Sequence, residues 1–337
     1  MINRFVQAVV LLILLMSISA CGEQTKLVSL SGNTMGTTYS IKVVPSERLP
    51  QPQLLQAEID LALEAVNNQM STYRPNSELT RFNQLNPGQS LPISADTAYV
   101  INEAIRLYDV TDGALDVTLG PLINLWGFGE DSKPTKVPTQ NKIDIAKTQM
   151  GMDGFSLHSG SLKKSHPALK INLSAIAKGF GVDKVANILN KYQVSGYLVE
   201  IGGELSVKGV KADGTPWRIA VEKPNSQGAR IQQVIEPGTM AVATSGDYRN
   251  YFEENGERFS HLIDPRNGYP IKHNLASATV LHPSSMTADA YATAMMVLGT
   301  QASLDLAQKQ DLPVMLIEKA EQGYEVFYSE AFKPYIK

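Results

Sequence analysis

The stretch "NLSAIAKGFGVD" (residues 172–183) joins an extended segment to a helix through small side chains and two glycines. Gly179 and Gly181 would each weaken a helix by about 1 kcal/mol relative to alanine. Because glycine lets another group approach the backbone closely, either a packed neighbouring element or a bound phosphate would explain them. The stretch lacks the third glycine of a dinucleotide-binding fingerprint and the lysine arrangement of a P-loop. It therefore predicts a tight junction, with packing and phosphate binding both open.

The segments around this junction predict the fold class. A strand "LKINL" (169–173) leads into it, and a helix from about 175 to 191 leaves it. "GYLVEIGGELSVKG" (196–209) is typical of two strands around a Gly-Gly turn, and "TMGTTYSIKVV" (34–44) is typical of another strand. "TADAYATAMMVLG" (287–299) is typical of a helix. Consecutive strands joined by short turns, with helices packed on them, indicate an α+β class with mostly antiparallel sheets.

The composition excludes some classes of function. The chain has 337 residues, of which 43% are hydrophobic and 19% are charged, an ordinary balance for a globular protein. Its net charge is −3, with 30 basic and 33 acidic residues and no basic run, which argues against a nucleic-acid partner. The single cysteine excludes a disulfide within the chain and a metal site built from several cysteines.

The first 20 residues have the pattern of a signal sequence that precedes the folded domain. Arg4 gives a basic start, and the apolar run at 9–16 is too short to cross a bilayer comfortably as a permanent helix. The small residues before Cys21 resemble a bacterial lipobox, which implies a mature chain that begins at a diacylated cysteine. Two acyl chains make such an anchor stable. The alternative is a plain signal peptide followed by an incidental cysteine.

A carboxylate and a hydroxyl lie four residues apart on the helix predicted at 287–299. Asp289 and Thr293 therefore point the same way. Their oxygens suit Mg²⁺ or Ca²⁺ and not zinc. The alternative is that Asp289, close to a helix N-terminus, only complements the helix dipole. The pair is thus a candidate metal site.

The stretch "SHLIDPRNGYP" (260–270) places a histidine before two strong turn signals, Asp-Pro and Asn-Gly. Histidine titrates near neutrality and is the commonest proton acceptor in catalysis. His261 and Ile263 are two residues apart, so along a strand both side chains would face the same way. His261 is therefore either a general base that faces a cleft or a residue that hydrogen-bonds the turn.

Seven stretches occur in an order that is similar to one known family. They are "MGTTYSI", "STYRPNSELTRFN", "DGALDVTLGPLINLWGFG", "NLSAIAKGFGVD", "VEIGGE", "TSGDYRNYFEENGERFSHLIDPRNGYPI" and "TADAYATAMMVLG". The resemblance covers about residues 30–335, and the combination of stretches is far more specific than any one of them. The chain resembles the ApbE family, the FAD:protein FMN transferases.

This resemblance implies a fold, a domain plan and an activity. The fold would be ApbE-type and T-fold-like, with the flavin cleft between two lobes. Residues 1–20 would form the lipoprotein signal peptide, 21–30 a tether and 31–337 the flavin transferase domain. The enzyme would cut FAD at its pyrophosphate in a Mg²⁺-dependent reaction and join FMN to a threonine or serine hydroxyl of a target protein. The products would be a phosphoester and AMP.

The resemblance also assigns residues to the site. Those that match FAD-contact positions are Met35, Tyr73, Ala114, Leu115, Asp116, Asn172, Lys178 and Ile263. Those that match the Mg²⁺ site are the Ala175 carbonyl, Asp289 and Thr293, with Ala292 beside them. His261 and Asp289 would be catalytic. Two positions depart from many relatives, because Asn172 stands where aspartate is common and Lys178 stands where glutamate can occur.

Three functions are compatible with these residues. The first is a transferase that flavinylates exported subunits of the Na⁺-translocating NADH:quinone reductase and related electron-transport complexes. The second is an FAD pyrophosphatase, in which water replaces the acceptor. The third is a flavin-binding lipoprotein without chemistry, against which Asp289, Thr293 and His261 argue. The resemblance and Cys21 imply the periplasmic face of the inner membrane, while Gly22 leaves outer-membrane sorting open.

The lipobox interpretation predicts that Cys21→Ser gives unprocessed or mislocalised protein, because the acylated side chain is lost. A shortened chain that begins at Glu23 should be soluble and active. Membrane fractionation and the mass of the mature N-terminus measure both outcomes. Processing and fractionation of Cys21→Ser like those of the wild type would show that the lipobox interpretation is wrong.

Overall fold

A computed structural model describes residues 26–129, 136–224, 230–247 and 251–337. The predicted signal peptide and the lipidation site at Cys21 lie outside the described residues. Within the described ranges, no helix has the length and the apolar character needed to cross a membrane. The first strand begins at Val28, so the last three residues of the predicted tether belong to the folded sheet.

Seventeen strands and eight α-helices make up the described part of the chain. The strands are β1 (Val28–Thr34), β2 (Thr37–Val43), β3 (Ser90–Pro92), β4 (Phe155–His158), β5 (Ser161–Lys164), β6 (Tyr197–Ile201), β7 (Glu204–Lys208), β8 (Ile219–Glu222), β9 (Ile231–Ile235), β10 (Ala241–Gly246), β11 (Tyr251–Glu254), β12 (Glu257–Ser260), β13 (Ile263–Asp264), β14 (Tyr269–Pro270), β15 (Leu275–His282), β16 (Val314–Lys319) and β17 (Tyr324–Tyr328). The α-helices are α1 (Pro52–Met70), α2 (Glu78–Asn83), α3 (Ala95–Val110), α4 (Gly120–Leu125), α5 (Gln140–Lys147), α6 (Ala177–Lys191), α7 (Ser285–Leu298) and α8 (Thr300–Gln310). Short 3₁₀ segments lie at Met152–Gly154 and Glu330–Tyr335.

One eight-stranded sheet organises the fold, in the order β1-β2-β6-β7-β10-β15-β16-β17. Every neighbouring pair in it is antiparallel. A three-stranded sheet, β3-β5-β4, and three two-stranded ribbons, β8-β9, β11-β12 and β13-β14, are separate from it. The predicted α+β class with mostly antiparallel sheets is confirmed.

Both faces of the large sheet are covered, as the alternation of its side chains requires. Val242 and Leu281 pack into a core on one face, while their sequence neighbours Ala243 and Val280 pack into the core on the other. Successive residues of a strand point to opposite faces, so strands buried on both sides are mostly apolar on both faces. Helices α6 and α7 cover one face, and the β8-β9 ribbon and the C-terminal 3₁₀ segment cover the other.

Two tight hairpin turns shape one end of this sheet. Gly202 and Gly203 connect β6 to β7 with φ values of +58° and +104°, which confirms the predicted Gly-Gly turn. Met35 and Gly36 connect β1 to β2 with φ values of +50° and +73°. Two-residue loops with positive φ at both positions twist in the same sense as the flanking strands. The strand predicted over 34–44 is confirmed from Thr37 to Val43 as β2. Its predicted start was wrong, because the chain reverses at Met35 and Gly36.

The segment "LKINL" (169–173) is not a strand. The N–H of Ile171 donates to Oδ1 of Asn83 at 2.8 Å, and its carbonyl accepts from Nδ2 of Asn83 at 2.9 Å. A side-chain amide thus takes the place of a neighbouring strand. The N–H of Asn172 then donates to the carbonyl of Val117 at 2.7 Å. Leu169, Ile171 and Leu173 are buried. The prediction of a strand here was wrong, because the hydrogen-bond partners lie in distant parts of the sequence and are not a neighbouring strand.

Helix α7 runs through the centre of the molecule. It begins at Ser285, two residues before the predicted start, and it is buried on nearly all sides. Such a helix lacks the continuous solvent-facing polar side of a surface helix. Its N-terminus is capped by Asp183 of α6, whose carboxylate accepts from the hydroxyl of Ser284 and from the N–H groups of Ser285 and Met286 at 2.7–3.0 Å.

Helices α6 and α7 cross at Gly179, which explains the first glycine of the opening stretch. A Cβ atom at this position would lie 2.2 Å from the carbonyl oxygen of Ser285. The element that approaches the backbone is therefore a second helix. A Cβ at Gly181 would instead meet the flexible thioether of Met35 at 3.1 Å and apolar side chains at 3.5 Å or more.

We expect Gly179→Ala to lower the free energy of unfolding by about 1–3 kcal/mol, the usual range for an overpacked core. The matched control is Gly181→Ala on the same helix, which should be neutral or stabilising because alanine favours a helix. Urea unfolding followed by far-UV circular dichroism gives both values. Equal stability of the two variants would contradict the proposed helix contact.

Candidate active site

A deep cleft of about 2230 Å³ opens between the two hairpin turns, helix α1 and the β12-β13 region. All of the residues predicted to contact FAD lie on its wall, namely Met35, Tyr73, Ala114, Leu115, Asp116, Asn172, Lys178 and Ile263. So do His261, Ala175, Asp289 and Thr293 from the predicted catalytic and metal sets. Ala292 is fully buried in the core and does not line the cleft. The fold therefore brings residues from six separate stretches of sequence to one cavity.

Met35 enters the cleft from the tip of the β1-β2 hairpin. Its φ of +50° is unusual for a residue other than glycine. The side chain packs against two of the hydrophobic cores, and its sulfur approaches Gly181 of α6. A residue held in a sparsely populated conformation at a cleft is a common feature of functional sites. The thioether is polarizable and suits contact with a flat ring.

Tyr73 stands at the rim of the cleft on the loop that follows α1. It is 73% exposed, so its ring has little packing of its own. The loop itself is fixed, because the hydroxyls of Ser77 and Thr80 donate to the carbonyl of Ser71 and that of Thr80 also contacts the carbonyl of Thr72. A rigid loop that presents an exposed aromatic face at a cavity is suited to stacking on a planar ligand.

Asp116 and Asn172 lie together on one wall, since the N–H of Asn172 bonds the carbonyl of Val117. The Asp116 carboxylate accepts from the N–H and the hydroxyl of Thr118 at 2.7 and 2.6 Å. Burial raises the pKa of Asp116 above its usual value, and these two hydrogen bonds oppose the rise. The Asn172 side chain accepts from the N–H of Ser174 at 2.8 Å and thus stabilises the start of the helix junction.

Three charged groups meet where α6, α7 and the β6-β7 hairpin converge. The Lys178 ammonium lies 3.4 Å from Oε1 of Glu204 and 3.7 Å from Oδ1 of Asp289. Both carboxylates are buried, at 5% and 2% exposure of their side chains. Burial opposes the lysine charge, yet the two carboxylates hold the pKa of Lys178 above its ordinary value. We call this group the Lys178–Glu204–Asp289 cluster.

The two carboxylates of this cluster are shifted in the same direction. Burial, with the neighbouring charge of Asp289, raises the pKa of Glu204 to about 8 despite the attraction of Lys178. Burial also raises the pKa of Asp289, while Lys178 and the N–H of Gly179 act against the rise. Strongly shifted acids in a cleft are typical of catalytic and ligand-binding sites.

Glu204 is a site residue that the sequence reasoning missed. It was part of the quoted stretch "VEIGGE", but the Gly-Gly turn before it favoured an ordinary hairpin. The sequence did contain one indication of a polar site. Glu204 and Ser206 are two residues apart on β7 and face the same side, whereas Leu205 and Val207 are apolar. Its Oε2 is buried and has no hydrogen-bond partner within the described ranges. A buried carboxylate oxygen without a donor is suited to contact with a cation.

Asp289 does not serve the dipole of its own helix. It is the fifth residue of α7, and its Oδ2 accepts from the N–H of Gly179, in the first turn of α6, at 3.0 Å. Thr293, one turn further along α7, lies 3.2 Å from the Ser245 hydroxyl. Asp289 therefore complements the dipole of the neighbouring helix α6, and sequence spacing alone does not reveal this contact.

The predicted metal ligands offer a chemically consistent set of donors. Asp289, Thr293 and Ala175 all line the cleft and supply carboxylate, hydroxyl and carbonyl oxygens. Hard divalent cations such as Mg²⁺ prefer such oxygens and keep several waters or phosphate oxygens as further ligands. Among the described residues, no cluster of three or more histidine, cysteine or acidic side chains forms a metal cage. The donors fit a cation that binds together with a phosphate-bearing ligand, and they do not fit a closed structural site.

His261 and Ile263 both reach the cleft, just before the Asp-Pro corner. The corner is stabilised from within, because Asp264 accepts from the backbone N–H and the guanidinium of Arg266 at 2.8–2.9 Å. The His261 ring meets the Phe128 ring edge-on, with centroids 6.3 Å apart. These contacts place the imidazole at the cavity and give the turn its own hydrogen bonds.

The pKa of Glu204 predicts a pH-dependent stability in metal-free buffer. Between pH 4.5 and about 8, the folded chain holds a proton on Glu204 that the unfolded chain has released. The free energy of unfolding should therefore fall as the pH rises, by up to about 1.4 kcal/mol per pH unit for one proton.

Glu204→Gln should lose this part of the slope, while the exposed control Glu325→Gln should keep it. Urea unfolding at a series of pH values measures both. A slope in Glu204→Gln that equals the wild-type slope would show that Glu204 titrates normally.

Comparison with known proteins identifies the family of the chain. Residues 35–316 match the sequence model of the ApbE family. The FAD:protein FMN transferase of Vibrio cholerae is 47% identical over 322 residues, which are 96% of each chain, and that of Haemophilus influenzae is 46% identical over 98% of each chain. The solved structure of the flavin transferase ApbE from Vibrio cholerae superimposes with a TM-score of 0.86 over 92% of this chain and 99% of that chain, at 47% identity. The chain is therefore an enzyme of the ApbE family.

Proposed function

We propose that the enzyme transfers the FMN moiety of FAD to a threonine or serine hydroxyl of a target protein, with Mg²⁺ bound, and releases AMP. The observation that carries this proposal is the Lys178–Glu204–Asp289 cluster on the wall of a cleft that also holds every predicted FAD contact. The names of the close relatives support FAD as the flavin donor and FMN as the transferred group.

The cleft supplies separate contacts for the two ends of FAD. Met35 and the exposed ring of Tyr73 offer apolar faces to the flat isoalloxazine. The positive charge of Lys178 and the start of helix α6 favour the diphosphate, since a helix N-terminus attracts anions. Positioning of this kind is the main contribution of an enzyme to phosphoryl transfer.

The reaction is a displacement at phosphorus. The acceptor hydroxyl oxygen forms a bond to the phosphorus of the FMN half, and the bond from that phosphorus to the bridging oxygen breaks. AMP leaves with the electron pair, and His261 accepts the hydroxyl proton. Mg²⁺ held by Asp289, Thr293 and the Ala175 carbonyl would act as a Lewis acid on the diphosphate oxygens. Lys178 adds a fixed positive charge next to the group that leaves.

Hydrolysis of FAD to FMN and AMP is the second candidate function. In this reaction water would replace the acceptor hydroxyl at the same phosphorus, and the exposure of Tyr73 at the rim supports access of water to the cleft. The outcome depends on whether the acceptor protein excludes water from the cleft when it binds.

The acceptors we propose are exported subunits of redox complexes, such as the flavin-bearing subunits of a Na⁺-translocating NADH:quinone reductase. An enzyme anchored through Cys21 at the periplasmic face of the inner membrane would meet them there. Gly22 is the one sequence feature that leaves outer-membrane sorting open.

The test is a transfer assay with purified protein, FAD, Mg²⁺ and the flavin-bearing subunit of a Na⁺-translocating NADH:quinone reductase. Intact mass spectrometry of the subunit should show the addition of FMN less one water, with an equal amount of AMP released. FMN and AMP in solution, with an unmodified subunit, would support the hydrolase instead. No turnover of FAD under any of these conditions would overturn both functions.

Asp289→Asn should reduce transfer by roughly 10²-fold or more, because an amide is a poor ligand for a hard cation. Asparagine still accepts from the N–H of Gly179, so the helix crossing and FAD binding should survive. Excess Mg²⁺ should restore little activity. The rate is measured by subunit labelling over a Mg²⁺ titration, and full turnover with the wild-type Mg²⁺ requirement would exclude Asp289 as a ligand.

His261→Ala should bind FAD normally and transfer FMN at least about 10²-fold more slowly, because the acceptor hydroxyl loses its base. The matched control is Arg266→Gln, which breaks the ion pair with Asp264 in the same turn and leaves the imidazole in place. FAD titration and labelling rates measure the two properties separately. Near-normal labelling by His261→Ala would make His261 a residue of the turn, and loss of FAD binding would make its role structural.

A further inference from the structure

Strand β8 is the exposed edge of a two-stranded ribbon. Within the described ranges its only strand partner is β9. The other side of β9 is occupied by the C-terminus, because the N–H of Lys337 donates to the carbonyl of Val234 and the N–H of Glu236 donates to the carbonyl of Tyr335. Of the two outer sides of the ribbon, the one formed by β8 therefore has no strand partner among the residues that the structure describes.

The register shows which peptide groups face this open side. The carbonyl of Val234 points away from β8 and accepts from the C-terminus. Peptide groups alternate in direction along a strand, so those of Ile235 and Gln233 point toward β8 and bond to it. Their partners on β8 are Ile219 and Val221, and Ala220 between them faces away from β9. Ala220 is exposed, and its N–H and carbonyl make no hydrogen bond within the part of the chain that the structure describes.

This edge belongs to the wall of the active-site cleft. All four residues of β8, from Ile219 to Glu222, line the cavity that holds Lys178 and Asp289. At about 2230 Å³ the cavity is more than twice the upper end of the range of about 300–1,000 Å³ for small-molecule sites. A cleft of this size is compatible with a second occupant beside β8 in addition to FAD.

No lysine or proline stands within β8, and its one charged residue, Glu222, lies at the end of the strand. Natural proteins shield exposed edges with lysine, proline or a bulge on the edge strand. At the edge position of β8 stands the small, uncharged Ala220. The register shift of the ribbon inserts its extra residue in β9, between Ile231 and Gln233, so β8 itself stays regular. A regular, unshielded edge is a template for one more strand.

We propose that the acceptor polypeptide binds as an extended strand along the free edge of β8. Main-chain hydrogen bonds to Ala220 would position the acceptor and present its threonine or serine hydroxyl to the cleft. This inference rests on the proposed transfer function and names how its protein substrate is recognised. It also accounts for the large volume of the cavity, since an added strand would fill the space and exclude water from the reacting phosphorus.

The first test is Ala220→Pro, which removes the outward N–H and leaves the hydrogen bonds to β9 intact. Proline is tolerated on edge strands where the N–H does not join the ladder. The matched control is Ala220→Val, which adds bulk but keeps the N–H. With the same quinone reductase subunit as acceptor, Ala220→Pro should raise the KM for the subunit about tenfold, while Ala220→Val should change it little. The Kd for FAD and the rate of FAD hydrolysis without acceptor should stay at wild-type values in both.

The second test uses the wild-type enzyme and does not depend on the folding of a variant. The subunit with its acceptor threonine replaced by valine is added to the FAD-loaded enzyme, and amide hydrogen exchange is followed by NMR. The Ala220 amide should become protected, while the Ile219 and Val221 amides, already paired with β9, should change little.

The outcomes separate the two proposals. If the wild type labels the subunit and Ala220→Pro has a wild-type KM, or if the Ala220 amide stays unprotected, edge recognition is overturned and the transfer function stands. If the wild type does not label the subunit, the transfer function itself fails for this acceptor, whatever the exchange of Ala220.

Discussion

The backbone contact between Gly179 and helix α7 is the constraint on which the rest of the site depends. Because Gly179 has no side chain, α6 can approach the Ser285 carbonyl closely. The N–H of Gly179 then donates to the Asp289 carboxylate. Asp183, one turn further along α6, caps α7 in return. The two helices thus satisfy each other's termini, and their angle and depth are fixed by hydrogen bonds as well as by packing.

This crossing places charge where the fold would otherwise exclude it. Lys178 precedes Gly179 and Asp289 lies opposite, so the contact of the two backbones brings an ammonium and a carboxylate into the same buried region. The β6-β7 hairpin adds Glu204 from the third side. Removing two carboxylates from water is unfavourable for folding, and one lysine compensates only in part. An arrangement of this kind is retained where a ligand gains from it, which agrees with its position on the wall of the cleft.

Much of the fold and most of the site could be predicted from local sequence, and the failures have a common cause. The Gly202-Gly203 turn and the α+β class follow from residues that act on their immediate neighbours. The turn at Met35 was missed because methionine rarely adopts a positive φ. The contacts that hold Met35 in this conformation are tertiary, so the local sequence does not reveal them. The segment at 169–173 looked like a strand because its partner, the Asn83 side chain, is 88 residues away. Glu204 was missed because its significance lies in Lys178 and Asp289, which no spacing rule connects to it.

The most direct test of the account is the crystal structure of the enzyme with FAD and Mn²⁺, in which anomalous scattering locates the metal. We expect one Mn²⁺ within bonding distance of Asp289 and Thr293, and the FAD diphosphate beside Lys178 at the α6–α7 crossing. The isoalloxazine should lie between Met35 and Tyr73. A metal bound away from α7, or a diphosphate that does not approach the crossing, would contradict the claim that this helix contact builds the catalytic site.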